Sequence, residues 1–127
     1  MSTEPGKCCA CGDRPKLIFA CSGAADVGHA IDLAARKLTA DGTGKMFCTA
    51  GIGGRVSGIM KTTEAAAKVL AIDGCPLDCV RKSLEEAGFD GFEHLQLADL
   101  GLIKGQTEVT DEAVDTVVKA AAAKLAC

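Results

Sequence analysis

Four cysteines in this sequence are spaced so that their thiols could meet in one site. Cys21, Cys48 and Cys75 come at or shortly after the ends of three apolar runs, and the two intervals between them are equal. That interval suits one strand, a crossover and the next strand of a parallel sheet. Because ligands of open α/β sheets bind at the carboxyl ends of the strands, we expect these thiols at one edge.

The fourth cysteine, Cys79, lies one helical turn after Cys75. The apolar run at 69–72 predicts a buried strand, and 80–87 predicts an amphipathic helix. Pro76 fits the first helical position with Cys75 as its cap, so we expect both thiols on one face of the helix N-terminus. Unpaired N–H groups and the helix dipole favour thiolates there. Such a pair is typical of a metal site or of a reactive sulfur site.

These residues resemble the DGC-domain family, which is named for an Asp-Gly-Cys triplet, here Asp73-Gly74-Cys75. Three segments carry the resemblance in order: KLIFACSGAADVG at 16–28, KMFCTAGIGGRVSG at 45–58 and AIDGCPLDCVRKSLEEAG at 71–88. Members of this family are described as zinc-binding proteins with four shared cysteines. The resemblance therefore implies a zinc site formed by Cys21, Cys48, Cys75 and Cys79.

The residues alone predict a soft-metal or thiol cluster without selecting the metal. Four thiolates can enclose zinc tetrahedrally, but four cysteines also hold iron–sulfur clusters. We expect Asp73 to orient the turn by accepting backbone N–H groups, and not to bind the ion. One alternative is a thiol-based redox or transfer enzyme that uses Cys75 or Cys79 on thiophilic compounds. A third interpretation is an interaction module whose cysteines are buried as small apolar side chains.

Composition favours a globular protein that keeps its thiols reduced. Of 127 residues, 48% are hydrophobic, and the net charge is −3 without a basic block, so nucleic acid is not expected as a partner. No apolar run approaches the length of a membrane span, so no membrane association is expected. Residues 1–15 lack the apolar centre of a signal peptide, so a cytoplasmic location is expected. Eight cysteines without such a signal favour metal or redox chemistry over disulfides.

The chain is predicted to comprise an irregular tail at 1–15 and one α/β domain at 16–127. We expect a three-layer sandwich, with about four mostly parallel strands and helices on both faces. The tail contains Cys8, Cys9 and Cys11, which would be exposed thiols, a second site or a flap over the first. Strands are predicted at 17–20, 45–47, 69–72 and 92–97, and helices at 24–38, 64–68 and 80–87 and after the cap Thr110.

Other features are expected to have structural roles. The glycines at 51–58 are predicted to form a loop that lets the backbone pass close to the sulfur site. Arg55 could bind an anion or favour thiolate at Cys48, but a surface role is as reasonable. His29 and His94 are expected to be packed or solvated, with His94 away from the site edge. Cys127 is expected to be incidental.

Overall fold

The computed structural model describes residues 14–126 of the chain. Four strands, five α-helices and one 3₁₀-helix alternate along this part. In chain order they are β1 Lys16–Ala20, α1 Asp26–Ala40, β2 Lys45–Met46, α2 Thr49–Gly53, α3 Ser57–Glu64, β3 Lys68–Asp73, α4 Cys79–Glu86, β4 Glu93–Gln96, the 3₁₀-helix Leu97–Leu100 and α5 Asp111–Leu125.

The four strands form one parallel sheet in the order β2-β1-β3-β4. In the centre of the sheet, Leu17 pairs with Val69 and Ala20 with Ile72. Both central strands are apolar in consecutive positions because helices cover both faces of the sheet. The predicted α/β sandwich is therefore confirmed.

The two faces of the sheet have separate apolar cores, which follow the strand alternation. Helices α1 and α5 cover the face of Ile18 and Ile72, where Ile31 and Val117 are completely buried. Helices α2, α3 and α4 cover the opposite face. The core on that side comprises Leu17, Phe19, Ile52, Ala71, Val80 and Leu84, with Ile59 and Met60 packed against it.

The segment after Cys48 differs from its prediction. The expected glycine-rich loop forms α2 and α3, and the helix predicted at 64–68 is wrong because α3 ends at Glu64. Gly51 allows this packing, since a Cβ there would collide with the side chain of Ile59. The Thr63 hydroxyl donates to the carbonyl of Ile59 inside α3.

Helix ends elsewhere follow the sequence signals. The Thr110 side chain accepts the N–H of Ala113 and so caps α5 as predicted. Gly88 follows α4 with a positive φ of 94°, a conformation that favours glycine. No helix within residues 14–126 combines the length and the apolar character needed to cross a membrane. The predictions for Cys8, Cys9, Cys11 and Cys127 lie outside the described residues.

Substitution of Gly74 tests how closely α1 packs on the end of β3. A Cβ at this position would lie 2.7 Å from Val27 Cβ and Cγ2. We therefore expect Gly74→Ala to lower the free energy of unfolding by about 1–3 kcal/mol, as overpacking does, in urea denaturation. Gly53→Ala is the matched control, because nothing lies within 4 Å of a Cβ there. Equal loss in both variants would contradict the proposed packing.

Candidate metal centre

The predicted cysteines lie at the carboxyl edge of the sheet. Cys21 directly follows β1, Cys48 comes shortly after β2, and Cys75 comes shortly after β3. After β1 the chain adds β2 on one side and then crosses to β3 on the other side. Ligands of open α/β sheets bind at the point where the strand order switches in this way, here between β1 and β3. The N–H of Cys21 bonds to the carbonyl of Ile72 at 3.1 Å, which extends the pairing of the central strands.

Three of the four thiols line one open cleft of about 500 Å³. Cys21 follows β1, Cys48 belongs to the segment 46–50 that contributes to the lining, and Cys79 is the first residue of α4. Cys48 and Cys79 are exposed, whereas Cys21 and Cys75 are half-buried. The Sγ atom of Cys48 accepts the N–H of Gly51 at 3.3 Å and caps α2.

The electrostatic environment of Cys21 includes Cys75 and Cys79. Burial raises the pKa of the Cys21 thiol, and a hydrogen bond from the Gly23 backbone opposes this increase. Electrostatic repulsion from the nearby Asp73, Cys79 and Cys75 raises the pKa of Cys21 further. Cys21 therefore favours its neutral thiol form in the metal-free protein.

Helix α4 begins after Pro76, the residue that the sequence suggested as its first position. Its first residue is Cys79, with Asp78 as the N-cap in the left-handed conformation (φ 50°, ψ 50°). Cys75 precedes the helix, and its carbonyl accepts the N–H of Asp78 at 3.1 Å. The prediction that Cys75 caps the helix and Pro76 begins it is therefore wrong.

The late start of α4 has a physical cause in the buried carboxylate of Asp73. This side chain is 1% exposed and accepts the N–H groups of Val80 at 2.8 Å and Arg81 at 3.0 Å. These are the second and third residues of the helix, whose N–H groups a capping side chain normally satisfies. Asp73, which lies at the end of β3, takes the place of that capping side chain. The expectation that Asp73 accepts backbone N–H groups is thereby confirmed.

Strand β4 supplies two polar residues whose roles the sequence did not reveal. Gln96 Nε2 donates to the Cys75 carbonyl at 3.0 Å and to Asp78 Oδ1 at 2.7 Å, so one amide bridges both ends of the turn. His94 Nε2 lies 2.9 Å from Asp73 Oδ2, so its predicted position away from the site edge is wrong. Sequence alternation places His94 and Gln96 on the same face of β4. The pairing of Asp73 with Gln96, however, depends on how β3 and β4 meet in the folded sheet.

These polar residues form a hydrogen-bonding network. Within residues 14–126, Asp73, Asp78 and His94 are the one group of three potential metal ligands whose donor atoms all lie within 4.8 Å of one another. The oxygens of both carboxylates accept N–H donors, and the guanidinium of Arg81 lies 2.9 Å from Asp78 Oδ2. Both carboxylates of this group are therefore already hydrogen-bonded within the protein, and the group holds the turn that contains Cys75 and Cys79.

The four cysteines are ligands of the type that a soft metal prefers, but their sulfur atoms are spaced more widely than in an occupied zinc site. Sulfurs of a tetrahedral zinc site lie about 3.8 Å apart, as Zn–S bonds of about 2.3 Å require. No three cysteine sulfurs in the described part of the chain lie within 4.8 Å of one another. Binding of one ion by all four thiols would therefore require their side chains to approach each other.

The family to which the chain belongs follows from comparison with known proteins. A family model described as "DGC domain" matches residues 17–121. The chain belongs to the DGC-domain family. It is 35% identical over 92 residues to the "Anaerobic and virulence modulator AnvM" of Pseudomonas aeruginosa, an alignment that covers 72% of this chain and 70% of that protein. No solved structure matches this DGC domain.

Removal of the Asp73 charge tests the brace of the DGC turn. Asp73→Asn retains one acceptor oxygen and places an amide NH₂ beside the helix N–H groups. Because a buried donor loses its partner, we expect the free energy of unfolding to fall by about 1–3 kcal/mol in urea denaturation. Asp90→Asn alters an exposed carboxylate and should leave stability unchanged. If Asp73→Asn leaves the free energy of unfolding unchanged, the proposed role of this carboxylate is wrong.

The thiols of the metal-free DGC domain should differ in reactivity. We expect iodoacetamide at neutral pH to modify Cys48 and Cys79 before Cys21, because both are exposed. Burial raises the Cys21 pKa above the ordinary 9.0, so its alkylation rate should continue to rise beyond pH 9.0. Mass spectrometry of peptides from timed samples measures each rate. Fastest modification of Cys21 would contradict this assignment.

Proposed function

We propose that this DGC domain is a metal-binding protein, with zinc as its metal. Its thiolate site comprises Cys21, Cys48, Cys75 and Cys79 at the carboxyl edge of the sheet. One observation carries the proposal: Cys21, Cys48 and Cys79, which follow β1, β2 and β3 in the chain, line one cleft, and Cys75 lies in the turn before Cys79. Since soft thiolates are preferred ligands of zinc, such convergence is well suited to this ion.

The surrounding structure supports a site that the whole fold assembles. Cys21 is held by the central strands, and the turn between Cys75 and Cys79 is held by Asp73 and Gln96. A metal bound there would supply a crosslink between β1, β2 and α4, and its binding free energy would add to folding stability. The cytoplasm, where thiols stay reduced, is the proposed location.

The alternative is a thiol-based redox or transfer enzyme that uses Cys75 or Cys79 on thiophilic compounds. The exposure of Cys79 at the first position of α4 favours it. However, Asp73 already accepts the N–H groups of Val80 and Arg81, which would otherwise favour a Cys79 thiolate. We therefore prefer metal binding.

Metal analysis of protein purified without added metal tests the proposal. We expect about one zinc per chain, with four thiols protected from titration until a chelator is added. Elemental analysis also distinguishes zinc from iron. Cys79→Ser should weaken zinc binding by more than about tenfold and lower the melting temperature.

The matched control is Cys127→Ser, which removes a thiol outside the proposed ligand set. It should retain both zinc and stability. If Cys127→Ser loses as much zinc as Cys79→Ser, the site assignment is wrong. Metal-free protein whose thiols titrate freely would reject zinc binding and favour the redox alternative.

A further inference from the structure

We propose that Cys21 and Cys79 form a reversible disulfide across the cleft, by exchange with a low-molecular-weight disulfide. This redox pair gives the cysteine edge a second, oxidised state, and the disulfide itself needs no metal. Its closure also removes two of the four thiols that we propose as metal ligands. Only this control of the metal site rests on the proposed function.

The backbones beside the two cysteines are held at consecutive residues of β3. The N–H of Cys21 bonds to the Ile72 carbonyl at 3.1 Å. The carboxylate of the next residue, Asp73, accepts at 2.8 Å the N–H of Val80, which directly follows Cys79. Both cysteines also line the same cleft. The fold therefore makes these two side chains neighbours at one point of the sheet edge.

The two thiols differ in accessibility, which suits a pair that reacts in sequence. Cys79 is exposed, whereas Cys21 is half-buried and packs against the apolar core that contains Val80. Burial is the largest cause of the raised pKa of Cys21, and repulsion from Asp73 and Cys79 adds to it, as nearby groups do. A dissolved disulfide therefore meets Cys79 first, and Cys21 is positioned to react with the product.

The other two cysteines are held in different surroundings. Cys48 is as exposed as Cys79, but its Sγ atom accepts the N–H of Gly51 at 3.3 Å and so faces its own helix α2. Strand β1 also separates β2, which precedes Cys48, from β3. The carbonyl of Cys75 is held by Gln96 of β4, and Cys75 does not line the cleft. Of the three cysteines that line the cleft, Cys21 and Cys79 are therefore the pair.

The exchange balances in two steps. The Cys79 thiolate attacks one sulfur of the disulfide RSSR, so a bond from Cys79 to SR forms and RS⁻ leaves. The Cys21 thiolate then attacks the Cys79 sulfur and releases the second RS⁻. The two cysteine protons pass through solvent to the two RS⁻ groups. The protein loses two electrons, and the reagent is reduced to two thiols.

Treatment of the reduced, metal-free full chain with glutathione disulfide tests the pair. We expect a disulfide between Cys21 and Cys79, while Cys48 keeps a glutathione adduct. Peptide mass spectrometry identifies each product, because cleavage before Asp78 separates Cys79 from Cys75. Since a disulfide closes only when its Cα atoms lie within about 7 Å, its formation measures the closeness of the two residues.

Single substitutions assign the role of each thiol. Cys21→Ser should leave a stable glutathione adduct on Cys79, like the adduct on Cys48. Cys79→Ser changes an exposed side chain, so its folding is not at risk, and Cys21 should then form no disulfide. Cys48→Ser and Cys75→Ser are the matched controls and should both retain the disulfide. A main product that joins Cys48 or Cys75, or a stable adduct on Cys79 in the unaltered protein, would overturn the inference.

Zinc release separates this inference from the proposed function. When zinc-loaded protein is treated with glutathione disulfide, we expect zinc to appear on a chelating dye as the Cys21–Cys79 disulfide forms. Dithiothreitol should restore both thiols and zinc binding. Zinc that stays bound after the disulfide has formed would contradict the control of the metal site.

The two proposals fail in different ways. If the reduced protein binds no zinc but forms the disulfide, the proposed function is rejected and the redox pair stands. If the reduced protein binds zinc but the metal-free chain forms no such disulfide, only the redox pair is rejected.

Discussion

The structure at the cysteine edge depends on one buried carboxylate. Asp73 is 1% exposed, and a charge in that position is tolerated only when donors surround it. Val80 and Arg81 at the start of α4 supply two N–H donors, and His94 of β4 contacts the same side chain. Because these contacts join β3, α4 and β4, they fix the path of the chain between Asp73 and α4. The positions of Cys75 and Cys79 follow from that path.

The turn itself adopts a conformation that needs support. Asp78 has a φ of 50°, in the left-handed region that costs most residues about 1–2 kcal/mol, although aspartate tolerates it better. Its side chain accepts the amide of Gln96 and pairs with Arg81, which offsets that strain. The same amide holds the carbonyl of Cys75. Strand β4 contributes no cysteine to the site, yet it fixes both ends of the segment that contributes two.

The parts of the structure that the sequence predicted are those determined by local pattern or by complete burial. Strands β1 and β3 are apolar in consecutive positions because both faces of the sheet are covered, and Thr110 caps α5 through its own neighbours. The start of α4 was misplaced because Pro76 is a local signal, whereas the actual cap, Asp73, acts from the preceding strand. The contribution of His94 depends on how β4 pairs with β3, which no short pattern in the chain encodes.

Close packing at glycines restricts the backbone on both sides of the cysteine edge. A Cβ at Gly28 would lie 2.5 Å from the Gly23 carbonyl oxygen, and one at Gly74 would meet Val27, so α1 lies directly against the loops that follow β1 and β3. On the other side of the edge, a Cβ at Gly51 would collide with Ile59, and the N–H of Gly51 bonds to the Sγ atom of Cys48, so the start of α2 is packed closely as well. Since the backbone is packed on both sides, the approach of four thiols to one ion would depend on rotation of their side chains.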